Sequence, residues 1–152
     1  MTSASRSPRV VSPTTSATAA ADVTLIFDGG SLGNPGKGYG SFVSRGLVQT
    51  AEPERREYPG RKTNNEAEYL SLIHGLRWII ESAQRDGRNP ATLALAVLSD
   101  SKLVVEQVSG RWKVKHDGLK PLHAEAVALV QQFRTWQLRW QPRAESVRLL
   151  GH

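Results

Sequence analysis

Apolar positions along the chain change their period several times, and each change marks an element. Val23-Thr24-Leu25-Ile26-Phe27 is a β-branched and aromatic run that stops at Asp28-Gly29-Gly30, which predicts a short strand. The turn-forming stretch Gly33-Asn34-Pro35-Gly36-Lys37-Gly38 follows, and the runs at 39–45 and 47–58 predict two more strands of an antiparallel meander. At Thr63 the period becomes helical. Thr63-Asn64-Asn65-Glu66 reads as a capping box, in which the Thr hydroxyl meets the amide three residues on and the Glu reaches back. Ala67, Leu70, Ile73, Leu76, Ile80 and Ala83 then recur on one face until Gly87 and Asn89-Pro90 close the helix.

An apolar strand over 93–98 stops at Ser99-Asp100-Ser101, and a short helix over 103–108 ends at Gly110. A third helix starts at Pro121 and carries Leu122, Ala126, Leu129, Val130 and Phe133; residues 136–140 make a last strand. The order β-β-β-α-β-α-α-β, without internal repeat, predicts an α/β domain whose mixed sheet is covered by helices. Residues 1–21 are mostly Ser, Thr, Ala, Pro and Val, with Arg6 and Arg9 and no acid. So few large apolar groups cannot offset the entropy of ordering, which predicts a disordered tail over 1–21 and a domain over 22–152. The same composition is that of organelle transit peptides, but no amphipathic period is visible; a cytoplasmic protein is expected, with organelle targeting by the tail as the alternative.

Composition narrows the chemistry. With 20 Lys and Arg against 14 Asp and Glu in 152 residues, the net charge of +6 favours a polyanionic partner, nucleic acid or an acidic membrane surface. No apolar run approaches the roughly 20 residues that span a bilayer, so no membrane partner is expected. The chain has no cysteine, which excludes disulfides, Cys-based zinc sites and thiolate catalysis.

Three carboxylates stand where a fold can bring them together: Asp28 at the end of one apolar strand, Asp100 just past another, and Glu68 in the first helix. Singly, each has an ordinary explanation as turn former, helix cap or solvated acid. Glu66 is accounted for by the helix start, and Glu68 is not. Two Asp and a Glu, with no Cys and no ligand spacing among His74, His116, His123 and His152, suit a hard cation, Mg²⁺ or Mn²⁺. Arg111, Lys113, Lys115 and Lys120, interleaved with Trp112, fit either a phosphate-tracking segment or a solvated basic loop around one core Trp.

Phe27-Asp28-Gly29-Gly30-Ser31-Leu32-Gly33-Asn34-Pro35-Gly36, Thr63-Asn64-Asn65-Glu66-Ala67-Glu68-Tyr69 and Ser99-Asp100-Ser101-Lys102-Leu103-Val104-Val105 resemble the three leading motifs of type 1 ribonuclease H. Gln107-Val108-Ser109-Gly110-Arg111-Trp112-Lys113-Val114-Lys115 is similar to the short-loop bacterial and archaeal members, and the resemblance spans about residues 23–146. It implies a ribonuclease H-like fold: a five-stranded mixed sheet, three strands antiparallel and then two parallel, flanked by helices. It also implies a monomeric endonuclease, a hydrolase that cuts the RNA strand of an RNA·DNA hybrid with two divalent ions and leaves 5′-phosphate and 3′-hydroxyl ends. Asp28, Glu68 and Asp100 match the metal-binding carboxylates. Gly33, Asn34, Asn64 and Asn65 match positions that read the 2′-hydroxyl, and Arg61 and Thr63 match positions that grip a DNA-strand phosphate in some relatives.

Trp140-Gln141-Pro142-Arg143 continues the resemblance into the family's last motif, which then fails. Ser146 stands where Asn is expected, Leu149 where Ala is, and Leu150 where a fourth Asp is; the usual closing helix is expected to be missing. Glu145, His152 and the terminal carboxylate are the nearby groups that could ligate instead. Arg143 stands near the place where some relatives hold a mobile His beside the scissile phosphate. Retained activity favouring Mn²⁺ is the first reading, and a hybrid-binding protein that has lost cleavage is the second. Relatives with very similar Gly-Arg-Trp-Lys-Val-Lys segments can also carry a second, phosphatase-like domain, so a longer parent protein is a further expectation.

Overall fold

The computed structural model describes residues 21–151. The expected tail thus falls, apart from residue 21, outside the described residues, as does the candidate ligand His152. Strands β1 (Val23–Gly33), β2 (Gly36–Gly46) and β3 (Glu54–Lys62) run antiparallel, while β4 (Ala94–Ser99) lies parallel to β1 and β5 (Thr135–Trp140) parallel to β4. The spatial order is β3-β2-β1-β4-β5. Helices α1 (Asn64–Arg85), α2 (Lys102–Val108) and α3 (Lys120–Val130) carry apolar residues of the main core on one side of this sheet. Among the described residues no helix is long and apolar enough to cross a membrane.

Alternation along β1 explains the layering: Val23, Leu25 and Phe27 belong to the main core, whereas Ile26 belongs to a second cluster. The capping box forms as its sequence predicts. Glu66 N donates to Thr63 Oγ1 at 3.1 Å and Thr63 N donates to the Glu66 carboxylate at 2.8 Å, so two amides at the start of α1 are satisfied. Two glycines then let α1 lie very close to the sheet. A Cβ on Gly40 would stand 1.8 Å from Ser71 Oγ, and one on Gly29 would stand 2.5 Å from the carbonyl oxygen of Ala67. Any larger residue there pushes the helix outward.

The meander differs from the expectation at one end. Residues 47–53 form a loop, because Thr50 N donates to the Ser44 carbonyl and Thr50 Oγ1 accepts from Ser44 N, both at 3.1 Å, and the chain folds back on β2. β3 therefore begins only at Glu54. It is an edge strand that carries Pro59, and its pairing with β2 shifts register at Lys37/Gly38.

The second difference is at the far end, where no helix was expected after the last strand. The structure forms α4 (Arg143–Leu150), which follows the extended Pro142 and is closed by Gly151 at φ 74°. Leu150 is fully buried against Ile26 and Val43, with Leu98 and Leu149 around them. Burial of that apolar pair makes eight residues fold back as a helix on the second face of the sheet. An acid at this position would replace an apolar side chain packed on Ile26 and Val43. Leu150→Asp should lower the unfolding free energy by about 2–4 kcal/mol and Leu150→Met by less than about 1.5 kcal/mol, as read by urea denaturation.

Candidate active site

The parallel register of β1 and β4 brings the two aspartates together. Ile26 pairs with Leu98, so two residues further on Asp28 and Asp100 stand side by side, the second just past the end of β4. Glu68 reaches them from the second turn of α1, which the close approach over Gly29 places directly above. The three side chains offer carboxylate oxygens that all lie within 4.8 Å of one another. Gly29 N–H donates to Asp28 Oδ1 at 2.9 Å and also to Glu68 Oε1. One backbone amide thus ties two of the three acids, and such an atom leaves no mark in a sequence beyond the small residue that carries it.

Crowding in a poorly hydrated place shifts the protonation of Glu68 and Asp100. Burial, then the Asp28 carboxylate and then that of Asp100, hold Glu68 well above its ordinary value of 4.5, while the Gly29 N–H pulls the other way. Asp100 is also pushed up, by burial and then by Asp28, with Arg143 opposing. The Arg143 guanidinium lies 3.2 Å from Asp100 Oδ2 and 3.6 Å from Asp28 Oδ2, and those acids, Asp28 foremost, strengthen its hold on its proton. Trp140 Nε1 donates to the Asp100 carbonyl at 3.2 Å, which pins the end of β5 beside the acids and brings Arg143 with it.

The other expected site residues divide into groups. Asn34 and Asn64 cross-brace the β1–β2 hairpin to the start of α1: Asn64 N donates to Asn34 Oδ1 at 3.0 Å, and Asn64 Oδ1 accepts from Ser31 N and Ser31 Oγ, each at 3.0 Å. Gly33, at φ 89°, makes the turn that allows this. Asn64 and Asn65 line a cleft of about 460 Å³ with all three carboxylates and Arg143, joined by Lys102 and Trp140, which the sequence reading missed. A second groove of about 900 Å³ adjoins it at Asn64, Asn65 and Leu103. Asn34 and Thr63 continue one wall, and Arg111, Trp112, Lys113, Lys115 and His116 form the other.

Two candidates are not brought to the cluster. Glu145 accepts from Arg148 at 2.7 Å and is not among the converging carboxylates. On an eight-residue helix the i,i+3 partner is nearer than the acids. Arg61, on edge strand β3, donates to the Pro35 carbonyl at 3.1 Å and lines a separate hollow with Lys37 and residues 57–60.

This fold and its carboxylate cleft are those of the ribonuclease H-like class. Residues 44–147 match the family described as "Reverse transcriptase-like". "Bifunctional protein Rv2228c" of Mycobacterium tuberculosis is 49% identical over 125 residues, covering 82% of this chain and 32% of that protein. The chain thus spans about a third of that relative's length. The solved N-terminal RNase H domain of the same protein superposes with a TM-score of 0.70 at 42% identity, covering 86% of this chain and 91% of the other. LC11-RNase H1, solved in complex with RNA/DNA hybrid, superposes at 0.70 with 29% identity, covering 84% and 90%. A "Ribonuclease H" of Sulfurovum is 32% identical, over 75% of this chain and 76% of its own. The chain belongs to the type 1 ribonuclease H family.

The raised Glu68 value has a measurable consequence for the metal-free protein. A carboxyl that keeps its proton longer in the folded state contributes stability that is present below its ordinary value and lost as pH rises through the folded one. Stability in chelator should therefore fall as pH rises above about 4.5. Glu68→Gln should flatten that fall, and Mn²⁺ should reverse it, as read by thermal unfolding at a series of pH values.

Proposed function

We propose that the chain is an endoribonuclease that cuts the RNA strand of RNA·DNA hybrids and leaves 5′-phosphate and 3′-hydroxyl ends, with Asp28, Glu68 and Asp100 as the ligands of two divalent ions, Mg²⁺ or Mn²⁺. The observation that carries this reading is the convergence of the three carboxylates within 4.8 Å in a cleft that adjoins a larger groove with a basic wall. An all-oxygen donor set without nitrogen or sulfur suits a hard cation completed by water and phosphate oxygens. Bound there, the ions supply Lewis acidity to the attacking water and to the departing 3′ oxygen.

This chain's own residues supply the rest. Gly29 N–H holds the Asp28 and Glu68 carboxylates in one orientation, so their oxygens stay preorganised. Arg143 presents a permanent cation to the scissile phosphate from the edge of the cleft. Asn65 and the braced pair Asn34 and Asn64, with the Gly33 turn behind them, face the minor groove, where a 2′-hydroxyl distinguishes RNA from DNA. Thr63 and the opposing basic wall follow the backbone of the DNA strand, with Arg61 beyond them. With three carboxylates and a competing arginine, the site should work better with Mn²⁺ than with Mg²⁺.

A second reading, hybrid binding without cleavage, is favoured by the burial of Leu150 and the pairing of Glu145 with Arg148, which leave no fourth acid in the cluster among the described residues. A labelled hybrid incubated in Mg²⁺, Mn²⁺ or chelator, with RNA·RNA and DNA·DNA duplexes as controls, separates the two. The nuclease predicts metal-dependent cuts in the hybrid alone, reduced at least about a hundredfold by Asp28→Ala. Equal cleavage by Asp28→Ala would remove the assignment, and salt-dependent binding without cuts would establish the second reading. Arg143→Ala leaves the repulsion between Asp28 and Asp100 without its counter-charge. Its affinity for Mn²⁺ in the absence of substrate should rise about two- to fivefold, as read by calorimetry.

A further inference from the structure

The larger groove has two unlike walls. One is the capped start of α1, fixed by its own helix and by the Asn34–Asn64 brace. The other, residues 111–116, belongs to no helix or strand. An irregular segment that must meet a stiff duplex needs something other than a ladder of backbone bonds to hold it.

A buried relay does so. Tyr69 is fully buried, and its hydroxyl donates to Gln107 Oε1 at 2.7 Å. Gln107 is 4% exposed, and its Nε2 donates to the carbonyl of Lys113 at 3.2 Å. His123 Nε2 donates to the backbone carbonyl of Gln107 at 3.1 Å, and its ring stands edge-on to that of Tyr69, 6.4 Å between centroids. Of the side chains that fit this space, an amide accepts from the tyrosine and donates to the carbonyl at once; a carboxylate or a thioether cannot do both. Packing α1 against α2 needs no polar pair, and burying one is unfavourable unless each atom finds a partner. Here the second partner is the backbone of the groove wall.

We propose that Gln107, oriented by Tyr69, is the positioning residue of the basic wall: it fixes residues 111–116 at a set distance from Asn64 and Asn65, so that Trp112, Lys113 and Lys115 meet the backbone of a bound nucleic-acid duplex without prior reordering. The link runs through Tyr69, the chain neighbour of Glu68, so the wall is held by the same helix that carries one of the acids. The proposal rests on the hybrid-cleaving reading for the identity of the duplex. Its structural half is independent of that reading.

The test compares the parent protein with Gln107→Met, which removes both bonds at nearly equal volume, and Tyr69→Phe, which removes one. Hydrogen exchange of the free protein should show the amides of residues 111–119 exchanging about tenfold faster in Gln107→Met and less so in Tyr69→Phe, with those of α1 unchanged. Hybrid affinity in chelator, by fluorescence anisotropy, should fall about three- to tenfold, and the KM for cleavage should rise by a similar factor while kcat changes by less than about twofold. Unchanged exchange at 111–119, or a loss confined to kcat, overturns the proposal. If the parent protein binds hybrids without cutting them, exchange and affinity still decide it, so that outcome is distinct from failure of the nuclease reading. If Gln107→Met does not fold, Tyr69→Phe decides by the same measurements.

Discussion

The short distance between α1 and the sheet is the constraint on which the site depends. Gly40 and Gly29 leave no room for a side chain beneath Ser71 and Ala67, so the helix backbone rests almost on the strands. Only at that separation can the amide of Gly29 reach the Glu68 carboxylate while still bonding that of Asp28. The approach forces three acids together in a poorly hydrated place; burial and then their mutual repulsion raise the proton affinity of Glu68 and Asp100, and their negative charge holds Arg143. Core packing on one side of Gly29 thus creates an unfavourable charge cluster on the other. A cation relieves it.

The last helix answers two demands with one short segment. Its C-terminal end inserts Leu150 among Ile26 and Val43, and its first residue, Arg143, stands over Asp28 and Asp100. A cation at the first position of a helix opposes the backbone dipole, so Arg143 is not there for the sake of the helix. The acids across the cleft compensate it. A chain that places leucine where a metal-binding acid is expected therefore still places positive charge against the remaining three.

Most of the fold was legible because its signals are local. The run that ends at Asp28, the capping box at Thr63 and the apolar period through Ala83 each name an element from a few adjacent residues. Glu68 could be separated from Glu66 because the capping box leaves only one of them unexplained. What was missed depends on contacts distant in sequence. Eight residues are too few to establish a helical period, so α4 was visible only once Ile26 and Val43 stood ready to receive Leu150. The loop at 47–53 is made by the Thr50 bonds to Ser44, which an alternating pattern cannot reveal. Arg61 and Thr63 lie two apart in sequence, yet one lines the hollow beside β3 and the other the larger groove. Trp140 and Lys102 join the cleft through the sheet's register, which no single segment encodes.

The edge strand β3 also bears on how the molecule meets its own kind. A sheet edge presents unsatisfied amides and carbonyls that invite a strand from another copy. Here the strand carries Glu54, Arg55, Arg56 and Glu57 in succession, then Pro59, whose ring nitrogen has no hydrogen to give, and its pairing slips at Lys37/Gly38. An incoming strand would meet alternating charges, a missing donor and a kinked register. The protein is thereby protected along this border against growth into a continuous sheet, a safeguard that is independent of whatever chemistry the acids perform.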